Sequence, residues 1–231
     1  MNRELARLEQ IIGLTFKDQS LLRQAVVHRS YLNEHPEFPI SHNERLEFLG
    51  DAVLEIIVTE YLFHKYPDTP EGDLTNWRAS LVNAKMLATV ASELDIEDFL
   101  YLSRGEAKDK NSKARQYILA NTIEALIGSM YLDQGLRAAK KFIVKHILGR
   151  LSHILSNQLY VDPKSKFQEM SQEKYKITPH YKILSETGPD HAKMFDVGVF
   201  LHDDMVARGR GSSKQEAQID AAANALTTYK W

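Results

Sequence analysis

Glu44, Glu47, Asp51 and Glu55 recur at offsets of three and four within the stretch HNERLEFLGDAVLE, residues 42–55. On a helix turning 100° per residue they fall inside an arc of about 80°. Leu46, Leu49, Val53, Ile56 and Ile57 fall on the opposite side. One face can therefore be buried while the other presents carboxylates. Like charges one turn apart repel, so solvent, a basic partner or a cation must offset them. Two readings follow: a solvated acidic face, or a site for a hard divalent ion, because carboxylate oxygens suit magnesium or manganese.

A metal site would need donors from a second element. Asn121 and Glu124 lie three apart in ILANTIEALIGSMYLDQG, residues 118–135, and share a helix face with Gly128. Glu71 opens EGDLTNWRASLVN, residues 71–83, where it serves as an ordinary first-turn acid or points toward the cluster. Two divalent ions held by Glu44, Glu47, Asp51, Glu71, Asn121 and Glu124 would suit phosphodiester hydrolysis. Glu47, Asp51 and Glu124 are the strongest ligand candidates. A two-carboxylate glycosidase would require aromatics lining a sugar cleft, and this motif has none beside it.

A different chemistry is written near the C-terminus. In GRGSSK, residues 209–214, Gly209 and Gly211 admit a close backbone approach, Ser212 and Ser213 offer hydroxyls and helix N-terminal amides, and Lys214 adds charge. Gln168, Glu169 and His191 could add contacts from a helix and a turn. Together they suit a reader of A-form duplex shape, and a well-capped helix start without a ligand is the plainer alternative.

The elements that must position these residues follow from periodicity and turn chemistry. Residues 3–12, 20–31, 42–64, 84–94, 115–133 and 136–155 carry helical patterns, with His28 to Tyr31 closing the second, and Glu71 to Thr75 lead into a further helix with Trp77, Leu81, Val82 and Met86. His28 suits a cap or a structural role better than a catalytic one. Pro36 and Pro39 make 33–43 a loop, and 103–114 is polar and turn-like. Gly50 sits inside its helix at a cost of about 1 kcal/mol relative to alanine, which a close helix crossing would justify. Trp77 suits packing, in the core or at a subunit contact. Arg137, Lys140, Lys141 and Lys145 read as a solvated face. After residue 161 the pattern becomes helix from Asp162, strands at 180–186, 193–201 and 205–209, and a helix from Ser212. The fold class is an all-α domain over 1–155, a linker at 156–161, and a small α+β domain of α-β-β-β-α order over 162–231.

Bulk properties narrow the classes. The chain has 231 residues, a net charge of −2 and no cysteine, which excludes disulfides and thiolate chemistry and favours a cytoplasmic setting. The start of the chain is polar, unlike a signal peptide, and no apolar run is long enough for a membrane span. Neither domain carries a basic excess, so nucleic-acid binding must rest on local arrangement.

The chain resembles bacterial ribonuclease III along essentially its whole length. HNERLEFLGDAVL at 42–54 matches the signature segment of that family, supported by AVVHRSYLNE at 25–34, EGDLTNWRASLVN and ILANTIEALIGSMYLDQG. Residues 162–226 resemble its double-stranded-RNA-binding domain through FQE at 167–169, GPDHAKMF at 188–195 and GRGSSKQEA at 209–217, which includes Arg210. The resemblance implies a homodimer that uses Mg²⁺, with Mn²⁺ as a substitute, and cuts both strands of duplex RNA. It implies 5′-phosphate and 3′-hydroxyl ends, two-nucleotide 3′ overhangs, and a role in ribosomal RNA precursor processing. It assigns metal coordination to Glu47, Asp51 and Glu124, with Glu44 and Glu71 in support.

Two residues depart from the family pattern. Asn121 stands where aspartate is usual, which removes one negative charge while keeping a carbonyl donor. Gln215 stands where a second lysine is frequent. Asn121 is what favours the competing reading, a non-cleaving RNA-binding regulator on an inactive nuclease fold.

Overall fold

The computed structural model describes residues 3–110, 112–189 and 193–231. The chain forms two compact units, Met1–Tyr160 and Val161–Trp231.

The first unit is helical: α1 Arg3–Ile12, α2 Gln19–Ala25, α3 Arg29–Glu34, α4 Glu44–Lys65, α5 Glu71–Val82, α6 Ala84–Glu93, α7 Arg104–Lys108, α8 Lys113–Gln134, α9 Leu136–His146 and α10 Leu151–Ser156. The two 22-residue helices, α4 and α8, are its centre. Leu46, Val53, Leu54, Ile57, Val58 and Leu62 of α4 are buried. They share one core with Leu119, Ile123, Leu126, Ile127 and Met130 of α8. The two helices cross with their backbones in contact. A Cβ built on Gly50 would lie 1.7 Å from the Glu124 carbonyl oxygen, and one on Gly128 would lie 2.2 Å from the Leu46 carbonyl oxygen. Gly50 is thus explained by a close crossing, and Gly128 is its counterpart.

Three local expectations are corrected. His28 does not close α2 but starts α3, with its ring accepting a hydrogen bond from the Ser30 amide. The break before it is fixed by a parallel bridge between Val27 and Tyr101, in which the Tyr101 amide donates to the Val26 carbonyl at 2.9 Å. The polar stretch 103–114 contains the short helix α7, set off by Ser103, whose hydroxyl accepts from the Glu106 amide. Residues 136–155 are not one helix, because Ile147 and Leu148 turn into the core through a 3₁₀ turn at Leu148–Arg150. Trp77 packs within this unit, edge-on to Tyr66 and Tyr160. Lys140 of the basic stretch pairs with Glu60 at 2.5 Å.

The second unit comprises α11 Pro163–Tyr175, β1 His180–Thr187, β2 Met194–Leu201, β3 Asp204–Gly211 and α12 Lys214–Tyr229. The strands form an antiparallel sheet in the order β1-β2-β3. Phe167 of α11, Val199 and Leu201 of β2, and Ala221, Ala222 and Ala225 of α12 make the core. The alanine run lets α12 lie close to β3. A Cβ on Gly209 would sit 2.0 Å from the Ala221 amide nitrogen, and one on Gly211 would sit 2.5 Å from that of Ala217. The close backbone approach that these glycines admit is that of α12, which fills the space on their Cβ side.

Candidate functional site

Glu44 and Glu47 occupy the first turn of α4, where the unpaired amides and the helix dipole favour negative charge. The entry to the helix is fixed by Asn43, a buried residue whose amide donates to Val27 at 2.9 Å and whose side chain donates to the Ala25 carbonyl. Glu44 faces Arg29 at 3.6 Å and His42 at 3.7 Å. Glu47 and Asp51 flank Gly50 on α4, and Asn121 and Glu124 precede Gly128 by two turns and one turn on α8. The glycine crossing therefore brings two acids from one helix against an amide and an acid from the other.

The electrostatics record that proximity. Burial pushes the Glu124 carboxyl up to about 8, with the charges of Asp51 and Glu47 adding to the shift. Burial likewise raises Glu47, reinforced by Glu44 and Asp51 and partly countered by a hydrogen bond from the Asn121 side chain. A half-buried patch of like charges is unfavourable for the bare chain, and a cation would relieve it. The donor set, carboxylates and one amide, is that of a hard divalent ion. Among the described residues, no three His, Cys, Asp or Glu side chains already surround one cation position. The chemistry of the donors fits such an ion, and the side chains have to close on it.

Two acids of the sequence pattern stand apart. Glu55 is held by Arg78 at 2.9 Å. Glu71 accepts from the Thr75 hydroxyl at 3.0 Å and lines a separate hollow with Thr59, Phe63 and Arg78, toward the other end of α4. Within one chain Glu71 does not join the cluster.

In the second unit Ser213 caps α12 by accepting from the Glu216 amide at 3.2 Å. The Ser212 hydroxyl donates to the Glu216 carboxylate at 2.5 Å. Ser213 accepts in its bond and keeps its own hydroxyl proton to donate, and beside the two serines the edge presents charge. Lys214 lies beside it, Arg210 reaches Asp196 at 3.5 Å, and Gln168 and Glu169 are exposed on α11. His191 lies outside the described residues. Glu186 of β1, which lies 3.8 Å from Lys214, had no signal in the sequence, since nothing local links the end of β1 to the start of α12.

Residues 18–151 match the family model described as Ribonuclease-III-like, and residues 163–229 match the double-stranded RNA binding motif. The chain belongs to the ribonuclease III family. Relatives named Ribonuclease 3 include that of Carboxydothermus hydrogenoformans, 44% identical over 100% of this chain and 98% of that one. Another, from Campylobacter fetus subsp. fetus, is 42% identical over 96% and 97%. The solved nuclease domain of ribonuclease III from Campylobacter jejuni is similar at 40% identity with a TM-score of 0.54, covering 61% of this chain and 94% of that domain. Membership in the ribonuclease III family carries its general activity, endonucleolytic cleavage of double-stranded RNA. No helix among the described residues is long and apolar enough to cross a membrane.

Proposed function

We propose that the chain hydrolyses both strands of duplex RNA by a two-metal-ion mechanism, using Mg²⁺ or in its place Mn²⁺, and leaves 5′-phosphate and 3′-hydroxyl ends with two-nucleotide 3′ overhangs. The observation that carries this reading is the gathering of Glu47, Asp51, Asn121 and Glu124 at the Gly50–Gly128 crossing, with Glu124 pushed up to about 8. Glu47, Asp51 and Glu124 would hold the ions, with Asn121 donating a carbonyl oxygen and Glu44 supporting from the helix start. When bound, the ions supply an activated water and charge neutralisation at the phosphodiester. The chain's own part is to fix the donors on two rigid helices. Gln168, Glu169, His191, Arg210, Ser212, Ser213 and Lys214 would engage the duplex from the second unit. Precursor ribosomal RNA and other structured transcripts in the cytoplasm are the substrates this reading favours.

The active form is a homodimer. Phe48, Ile56 and Phe63 run along one side of α4 at 81%, 58% and 66% exposure. Such a stripe is costly in water and suits a second copy of the same surface. Phe48 borders a hollow of about 610 Å³ walled by Leu21, Leu46, Leu49 and Leu132, large enough to receive an aromatic ring. Glu71, remote from the acids of its own chain, would take its supporting role only in the assembled dimer.

The experiment is incubation of long duplex RNA with the chain and magnesium, with the ends of the products sequenced. Short duplexes with two-nucleotide 3′ overhangs support the reading, and binding without product would establish the regulator suggested by Asn121 instead. Asn121→Asp adds one ligand charge and so shifts the magnesium midpoint for cleavage to lower concentration. An unchanged midpoint and rate would sink that expectation. For the second unit, Lys214→Ala should reduce the slope of log affinity against log salt by about one, the value for one lost phosphate contact. A slope equal to the parent's would remove Lys214 from the RNA interface.

A further inference from the structure

The edge assigned to RNA contains acids placed against its own basic groups. Glu186, near the end of β1, has one carboxylate oxygen 3.8 Å from the Lys214 ammonium and the other 3.8 Å from that of Lys193. One acid thus bridges the residue before β2 and the first residue of α12. Glu186 is opposite Phe195 in the sheet, and the Lys214 ammonium sits 5.8 Å from the centre of that ring. One register position further along the sheet the motif recurs, with Asp196 beside Arg210. Three cations of this edge, Lys193, Lys214 and Arg210, thus face carboxylates in the free chain.

A lysine held by a carboxylate is not lost to a ligand, because the side chains of Glu186, Lys193 and Lys214 are all part-exposed. Exposed ion pairs are weak and exchange readily. A phosphate arriving at Lys214 must, however, displace Glu186 or tolerate a second anion beside it. Either outcome subtracts from binding. The contact lies at the start of α12, where the helix dipole also attracts anions, so carboxylate and phosphate compete for the same place.

We propose that Glu186 is an intramolecular competitor for RNA phosphate that sets the affinity of this edge by holding Lys193 and Lys214 in the free chain and releasing them to the duplex. The inference rests on the RNA-binding reading given above and names a residue that acts through the two lysines. Glu186 acts only through the two lysines and makes no contact with RNA itself.

The test is a thermodynamic cycle on the full chain, with a duplex RNA of fixed length in low salt and chelator so that no cleavage occurs. Glu186→Gln should tighten binding about two- to fivefold, the range that release of weak exposed pairs allows. In a Lys193→Ala/Lys214→Ala background the same substitution should change nothing. Equal tightening in both backgrounds would mean that Glu186 acts only through the general field of the surface, and would overturn the inference. Weaker binding of Glu186→Gln would overturn it too, because the acid would then be holding the lysines in place for RNA. A parent chain that fails to bind duplex RNA would overturn the functional reading and this inference with it. A parent that binds while Glu186→Gln leaves affinity unchanged would overturn this inference alone.

Discussion

Glu124→Gln lowers cleavage of duplex RNA by about 10³-fold or more while leaving duplex binding by the second unit in place. The expected size is that of removing a charged group that anchors catalytic metal and developing charge in a water-poor site. The same substitution has a second signature that is independent of activity. The Glu124 carboxyl is pushed up to about 8, from an ordinary value of 4.5, by burial and by its neighbours Asp51 and Glu47. Between those two values the folded chain holds a proton that the unfolded chain has released. Stability of the metal-free chain therefore falls as pH rises from about 4.5 to 8, and the full penalty is present above 8. The shift alone would amount to more, but a carboxyl with partial solvent access is screened, so a penalty of about 2 kcal/mol is the expectation. Glu124→Gln cannot ionise. In chelator it should unfold at higher denaturant than the parent at pH 8.5 and close to the parent at pH 5. A gain of equal size at both values would refute the charge-repulsion account of the site. A cleavage rate near that of the parent would remove Glu124 from the catalytic set.

Gly50→Ala destabilises the first unit by about 3 kcal/mol or more, an overpacking cost with no flexible side chain to absorb it. Alanine at a helical position normally gains about 1 kcal/mol over glycine. Here the clash wins, because the added carbon would stand 1.7 Å from the Glu124 carbonyl oxygen, 2.5 Å from its carbon and 2.9 Å from the Gly128 amide nitrogen, all backbone. The helices can accept it only by separating. Separation also moves Glu47 and Asp51 away from Asn121 and Glu124, and a misplacement of about 1 Å in a catalytic constellation can cost about 10²-fold in rate. Gly128→Ala acts on the same contact from the other helix. Once either substitution has forced the helices apart, the second meets less resistance, so the double variant should cost less than the sum of the two. Urea unfolding of the three variants decides this. A Gly50→Ala chain as stable as the parent would show that the helices do not cross as closely as the glycines imply.

Glu124 and Gly50 differ in how far their roles are visible in the chain alone. The identity of the acids is visible as spacing on α4 and α8, yet their convergence depends on Gly50 meeting Gly128, residues far apart in the chain. Gly50 alone hints at a close crossing and says nothing about its partner. Glu71 shows the same limit from the opposite side. Its charge and helix position match a site acid, and only packing reveals that it lies with Thr59 and Phe63, toward the far end of α4.

Features that rest on short-range physics are legible in the chain alone. The alternation of apolar and polar residues yielded α4, α8 and the helix–three strands–helix order, because side-chain direction along a helix or strand is set by backbone geometry alone. Short helices were the exception within that range. The helices α3 and α7 are too brief to show periodicity, and they are defined by the caps at His28 and Ser103. Tertiary structure decided everything that joins distant segments. The glycines at 209 and 211 admit a close backbone approach on local chemistry, and the fold gives that approach to α12 on their Cβ side. The same packing brings Lys214 to Glu186, and on the first unit it turns a stripe of acids into a site where Glu124 holds its proton to about pH 8. Proximity of like charges, exclusion of water and close backbone contact are properties of the folded arrangement, and no residue carries them alone.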